Sequence, residues 1–393
     1  DMKILKNITV FTMVMLLSVS TVLEAREKNI SNFSSSASNL VDSTGTFDGN
    51  KIYADVANNG LFLDYHVSGD SALEWPKGTG VHSIFQSALW MGATVNGSIR
   101  TIVGDYTQDM GPGPWGGDPL AAVHRIYKVE KSMLASPLDF ADFQEWPVEF
   151  GAPWVDVDGD GVYTPLPGGT DHPEFLGDQV LWFVSNDGDP AYKLNFGTSP
   201  MNVEIQTTMF GFDRPDVFGD MVFLKQLVIN KGDDDLVDTY MGLWSDPDLG
   251  YAGDDFVGCD VALGMGYVWN DGDDSQYSTL DIGTPAAGYD FFQGPMVPCE
   301  DGDSEEVCPT EGAKMFGTRH PGMKNLKMSS FAFYINGDAT YTDPSDETEG
   351  YFYLQGLRKD GSAYPAEIAG DLYDQRFCFY GDPNDSVKSW LPI

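Results

Sequence analysis

The residues best suited to chemistry are the aspartates of Trp154-Val155-Asp156-Val157-Asp158-Gly159-Asp160-Gly161-Val162-Tyr163. Carboxylates at loop positions 1, 3 and 5 converge on one centre. A glycine at position 6 (Gly161) permits the sharp bend, and the carbonyl at position 7 (Val162) adds a further oxygen. Such a set suits a hard divalent cation, and a flexible, charge-rich loop favours Ca²⁺ over the more exacting Mg²⁺. Without an ion, three carboxylates this close repel each other, so an empty loop is expected to be poorly ordered. Position 12 is Pro167, where an EF-hand carries a bidentate Glu, and no helix precedes Asp156. The closing carboxylate must come from Asp171, Glu174 or Asp178. The expected metal set is Asp156, Asp158, Asp160, Val162 and Asp178. The competing reading is an acidic turn solvated by water.

A second cluster runs through Asp246, Asp248, Asp254, Asp255 and Asp260. It offers another Ca²⁺ site, paired carboxylates for acid/base work, or an acidic loop of turn-forming side chains. The runs 270–274 and 343–349 are too loosely spaced for any of these and read as surface loops. Gly69-Asp70-Ser71-Ala72-Leu73 has the outline of a serine-hydrolase block. None of the five histidines, however, has an Asp three residues before it to orient a general base. GxSxG, HExxH and P-loop motifs are also missing. Asp171-His172-Pro173-Glu174 reads as a turn that could lend a ligand. Trp75, Trp90, Trp115, Trp146 and Trp154 could line a sugar-binding face, but in an apolar β protein they read first as core.

The elements that must position these residues are short β-rich runs punctuated by Gly, Asn, Asp and Pro: 60–67, 83–95, 99–106, 123–131, 179–185, 201–212, 221–230, 236–244, 256–269, 327–335, 350–357 and 372–380. Asn96-Gly97 lies between two of them and is a strong hairpin signal, because both residues tolerate positive φ. One short helix is expected over 136–146, where Ser136 can cap, Pro137 takes the first turn and Pro147 ends it. The expected fold is all-β, a large sandwich-like architecture with long Asp/Gly-rich loops and one short helix. No repeat of about 40–50 residues suggests a propeller.

Across 393 residues, 22 Lys and Arg face 60 Asp and Glu, a net charge of −38. That surface repels phosphate backbones and anionic membranes and attracts cations, which argues against nucleic-acid partners. Met2, Lys3 and Lys6 precede an uncharged, mostly apolar run over 8–22, ending at Leu23-Glu24-Ala25. Fifteen residues is short of the roughly 20 needed to span a bilayer and suits the core of an export signal. Residues 1–25 are therefore expected to be a signal peptide, 26–47 a flexible Ser/Asn-rich lead-in, and 48–393 an all-β secreted region without a membrane span. Export makes disulfides permissible for Cys259, Cys299, Cys308 and Cys378. A local pair, Cys299–Cys308, around the acidic loop 300–306 is the favoured pairing.

Phe47-Asp48-Gly49-Asn50-Lys51-Ile52, Asn58-Asn59-Gly60, Leu73-Glu74-Trp75-Pro76-Lys77-Gly78 and Ala88-Leu89-Trp90-Met91-Gly92 resemble the N-terminal region of large secreted Bacteroidota-type proteins exported by type IX secretion. The resemblance continues through Gly151-Ala152-Pro153-Trp154, Gly177-Asp178-Gln179, Trp244-Ser245-Asp246, Asp254-Asp255-Phe256-Val257-Gly258-Cys259-Asp260 and Asp290-Phe291-Phe292-Gln293-Gly294-Pro295. It implies a secreted or surface-attached protein and carries over no catalytic residues. Such proteins usually end in a sorting domain, which is not found here, and Asp1 precedes Met2. The chain therefore reads as a fragment of a longer frame, truncated at its C-terminus. The expected function is a non-enzymatic, calcium-stabilised surface, adhesion or scaffold module, with divalent cations and cell-surface glycans or proteins as partners. The alternatives are a carbohydrate-active or peptide-cleaving enzyme using loop carboxylates, or a sugar-binding module.

Overall fold

The computed structural model describes residues 44–166, 171–270, 272–365, 368 and 376–381, together with the backbone of 12–20. The lead-in over 26–43, Pro167, and the proposed cleavage edge at Ala25 lie outside the described residues. The chain is all-β. Its strands fall into seven sheets of two to six strands, mostly antiparallel, among the described residues. This corrects the sandwich expectation: the strands are divided among many small sheets, as in a propeller, instead of forming two broad layers. Two sheets, of six and five strands, carry the longest strands; the other five have two to four strands, most of them ended after a few residues by glycines and Asx turns.

Most of the expected strands are present. The runs 179–185, 201–212 and 221–230 become Gln179–Asn186, Val203–Gly211 and Phe223–Asn230, three consecutive antiparallel neighbours. Asn96 and Gly97 adopt φ of 52° and 80°, and Val95 pairs with Ser98, so the hairpin forms as its sequence requires. The run 256–269 divides into Asp255–Asp260 and Met265–Asn270. Of the run 372–380, only Phe377 and Tyr380 are seen in bridges, to Phe331 and Cys259; residues 372–375 lie outside the described residues. The expected helix over 136–146 shrinks to a 3-10 turn, Pro137–Asp139, and a single α-turn, Ala141–Gln144.

One element is of the wrong type. The run 350–357, expected as a strand, belongs to the α-helix Glu347–Leu354. Its aromatic composition suggests a strand, but the Asp346 carboxylate caps the amides of Thr348 and Glu349, and Glu347 and Glu349 sit in the first turn. The end of the lead-in is also ordered: Thr44–Phe47 pairs with Tyr53–Ala57. The strand Thr12–Ser20, inside the apolar run of the export-signal reading, runs parallel between Val237–Asp246 and Met328–Asn336. No helix among the described residues is long and apolar enough to cross a membrane.

The chain divides into two compact units. One is built mainly from Phe33–Ala88 and Gly104–Asp233, the other mainly from Leu89–Val103 and Asp234–Ile393. In the first, the ladder Tyr127–Glu130, Gln179–Asn186, Val203–Gly211, Phe223–Asn230 carries a core of Tyr127, Val129, Phe143, Trp146, Val180 and Trp182. In the second, Trp90 and Trp244 stack with centroids 5.8 Å apart and planes 5° apart, and the Trp244 indole N–H donates to the Tyr334 hydroxyl at 2.7 Å. Cys299 pairs with Cys308, while Cys259 and Cys378 are buried thiols.

Candidate metal centre

Trp154–Val155 and His172–Pro173 form a two-residue antiparallel ladder, with Val155 opposite His172. The ladder places Asp156 at the start of the intervening loop and Asp171 at its end, side by side. Ligand oxygens of Asp156, Asp158, Asp160 and Asp171 all lie within 4.8 Å of one another. The first three are exposed and Asp171 is buried. This cluster could hold a metal ion.

The loop's own backbone sets the carboxylates. Asp156 accepts the amides of Gly159 (2.7 Å) and Gly161 (2.9 Å). Asp158 accepts the amide of Asp160 at 3.2 Å, and Asp160 that of Val162 at 2.7 Å. Asp171 ties the two limbs together, taking the Val157 amide at 2.9 Å and the Thr164 amide at 2.7 Å. Gly159 and Gly161 both have φ of 77°, the left-handed conformation that such nested amides require. These donors offset part of the mutual repulsion and give the loop a defined path.

The electrostatics differ across the four. The Thr164 amide holds the Asp171 carboxyl below the usual carboxylate range, with the Val157 amide and the Thr164 hydroxyl helping against burial. Asp158 moves the other way. The amide of Asp160 pulls it down, but partial desolvation and the charges of Asp160, Asp171 and Asp156 push it up on balance. A divalent cation would reverse that push, because it supplies the positive charge the four carboxylates lack.

The loop is anchored below. Trp154 and Tyr163 pack against the core of the first unit and meet edge to face, centroids 5.6 Å apart. The Tyr163 hydroxyl donates to the Phe143 carbonyl at 2.6 Å, and burial pushes its pKa well up. The Trp146 indole N–H donates to the Pro153 carbonyl at 3.0 Å.

Against the sequence expectation, Asp156, Asp158 and Asp160 come together as proposed, but Asp178 does not belong to the cluster. Its carboxylate accepts the Asp213 amide at 2.9 Å, and Asp171 is the closing carboxylate. The signal for Asp171 was its place one residue ahead of a strand that pairs back onto Val155, and that pairing is not legible from spacing. Val162 lies in the loop and is exposed, its amide engaged with Asp160. Glu174 forms an ion pair with Lys225 at 3.7 Å.

The second cluster is very different in its surroundings. Asp246, Asp248 and Asp255 are buried, and so is Asp274, which the sequence placed in a surface loop. Asp274 is a fastener, accepting the amides of Tyr251 (2.8 Å), Gln276 (2.8 Å) and Tyr277 (2.7 Å). Gly250, at φ of 73°, allows this approach; a Cβ there would lie 2.2 Å from the Asp274 Oδ1. Asp254 accepts the Asn270 side-chain amide at 2.7 Å, and Asp260 the Leu263 amide at 3.0 Å. Burial pushes the Asp255 carboxyl up to about 8, against the Leu249 amide and with the charges of Asp248, Asp254 and Asp274 adding to it.

Of the tryptophans considered for a sugar-binding face, Trp90 and Trp146 are core and Trp75 and Trp154 half-buried, but Trp115 is 43% exposed. Compared with protein-family models, with curated proteins and with solved structures, the chain matches none.

Proposed function

We propose that this chain is an exported, non-enzymatic surface or scaffold module of a larger protein, braced by Ca²⁺ at Asp156, Asp158, Asp160 and Asp171. The observation that carries it is the convergence of four carboxylates within 4.8 Å at the mouth of a closed hairpin. All the donors are carboxylate or carbonyl oxygens on an acidic, exposed loop, which suits a hard cation such as Ca²⁺ over softer metals. The Val162 carbonyl and water would complete the coordination. Export rests on the N-terminal apolar run and on the resemblance to type IX-secreted proteins. The net charge of −38 supports a cation partner, since each bound ion relieves self-repulsion.

An ion that binds only the folded chain adds RT ln(1 + [L]/Kd), about 2.7 kcal/mol when free Ca²⁺ is 100 times Kd. Excess chelator is therefore expected to lower the melting temperature by several degrees. Asp158→Ala should produce the same fall in Ca²⁺, and in chelator the variant and the wild type should melt together. An unchanged melting curve in chelator counts against the reading.

A second reading, a sugar-binding surface, has one observation in its favour. Trp115 borders a cavity of about 320 Å³ with Tyr192, Asn186 and Asp189. Its indole is fixed by hydrogen bonds from its backbone amide to Glu204 (2.9 Å) and from its ring N–H to Asn202 (3.1 Å). Aromatic faces held open in this way suit pyranose rings. If oligosaccharides bind, calorimetric titration should show the binding lost in Trp115→Ala; no binding to the wild type across a glycan panel disposes of this reading.

A further inference from the structure

Cys259 lies in the strand Asp255–Asp260, which pairs along one edge with Met265–Asn270. The segment 376–381 lies against its other edge, where Cys259 is bridged in parallel to Tyr380. The Cys259 amide donates to the Phe379 carbonyl at 3.2 Å, and the Gly381 amide donates to the Cys259 carbonyl at 2.9 Å. The Cys259 thiol donates to the Cys378 carbonyl, with sulfur and oxygen 3.4 Å apart. Cys259 thus touches the two consecutive carbonyls that follow the Cys378 α-carbon. Cys378 is held from the opposite side, its amide donating to the Phe331 carbonyl at 2.9 Å. Both cysteines have no solvent-accessible surface, and both belong to the second unit.

The carbonyl oxygen and the sulfur of one cysteine are only a few bonds apart, so a thiol resting on the Cys378 carbonyl is within side-chain rotation of the Cys378 sulfur. Hydrogen-bonded neighbouring chains lie about 4.8 Å apart, in the range of roughly 4.4–6.8 Å between α-carbons that a disulfide spans. Phe379, between Cys378 and the Tyr380 bridge, has φ of 49°, a left-handed conformation that an aromatic residue adopts only where its surroundings impose it. We propose that Cys259 and Cys378 are a modification site: they close a second disulfide, which clips the segment 376–381 to the strand Asp255–Asp260. Each sulfur gives up its proton, one S–S bond forms, and two electrons pass to an external disulfide, whose own S–S bond breaks to two thiols. In the cell that oxidant comes with export, so its supply rests on the export reading, while the pairing rests on the geometry. Burial pushes the Cys378 thiol well above its ordinary range, and the neighbouring Cys259 adds to that push. The thiolate is the attacking form, so the bond closes before the segment docks and is shielded afterwards. It joins residues 119 positions apart, whereas Cys299–Cys308 spans nine, and the longer closure restricts the unfolded chain far more.

The test is the state of the four cysteines in the purified full chain, unfolded and reduced, then refolded with oxidised and reduced glutathione. The product is alkylated in denaturant and read by intact mass and by peptide mapping without reduction. No alkylated cysteine is expected, together with a linked pair of peptides that carry Cys259 and Cys378. In melting, the oxidised wild type should gain several degrees over its fully reduced form. Cys259→Ser/Cys378→Ser, which keeps Cys299–Cys308, should gain much less. Alkylated Cys259 and Cys378 beside a closed Cys299–Cys308 overturn the proposal. A crossed pairing of either residue with Cys299 or Cys308 overturns it as well. Equal gains in the two proteins would show a bond that fastens nothing, and overturn the clip. If the double variant does not fold, the wild-type map decides alone. Glutathione supplies the oxidant here, so the outcome is independent of export. Free thiols at all four positions in chain taken from its own cells would sink the export reading, with the pairing still decided by the refolded protein.

Discussion

Lys193→Met is expected to destabilise the protein by about 3–5 kcal/mol, the usual consequence of breaking a buried ion pair from one side. The Lys193 ammonium lies 2.8 Å from Asp109 and 4.0 Å from Asp187, and all three side chains are at most 2% exposed. Asp187 is further fixed by the amides of Met201 and Val203, both at 2.7 Å. Burial pushes its carboxyl up, with Lys193 and those amides opposing. Methionine fills the volume but takes the Lys193 charge away from two desolvated carboxylates. The second substitution in Lys193→Met/Asp109→Asn should recover part of the loss, because it removes one of the two stranded charges. Urea unfolding of the three proteins gives the comparison; a loss under about 1 kcal/mol in the single variant would show that water already reaches the cluster.

Trp146→Ala should cost a similar amount, about 3–5 kcal/mol, by the cavity it leaves. Trp146 is 2% exposed and central to the core beneath the Asp loop. Its effect should extend to metal affinity, because its indole N–H holds the Pro153 carbonyl next to the strand that delivers Asp156. Trp146→Phe separates the two contributions. It keeps most of the packing and drops the hydrogen bond, and the Pro153 carbonyl still accepts the Glu174 amide at 2.9 Å. A smaller stability loss with a measurable weakening of Ca²⁺ binding is expected from Phe, and a large loss in both from Ala. Equal Ca²⁺ affinity in all three proteins would mean that the loop is positioned without its floor.

What was legible in the sequence was whatever local chemistry decides. Asn96-Gly97 can hardly adopt anything but a turn with positive φ, and it does so. Asp156, Asp158 and Asp160 converge because alternate spacing and two glycines force their carboxylates inward, whatever the rest of the chain does. What was not legible depends on distant partners. Asp171 and Asp178 are equally plausible by chain distance, and only the pairing of Val155 with His172 chooses between them. The helix Glu347–Leu354 is hidden because Tyr351, Phe352 and Tyr353 favour strands by type, while a single cap at Asp346 outweighs them. The burial of Asp255 and Asp274 is likewise a tertiary outcome: an Asp-rich string looks the same in sequence whether it faces water or the interior. Sheet size is non-local for the same reason, and the expected sandwich gave way to several small sheets.

The edge-to-face contact between Trp154 and Tyr163 closes the two limbs of the Asp loop over the same patch of core. One residue on each side separates these rings from the carboxylates and from the bend between them. The loop therefore carries its own antenna. Light absorbed by Tyr163 passes readily to an indole 5.6 Å away, and a luminescent lanthanide, if the four carboxylates take one up, would receive that excitation in turn. Opening of the hairpin would part the rings and dim the signal, so occupancy and closure can be followed optically without attaching a dye.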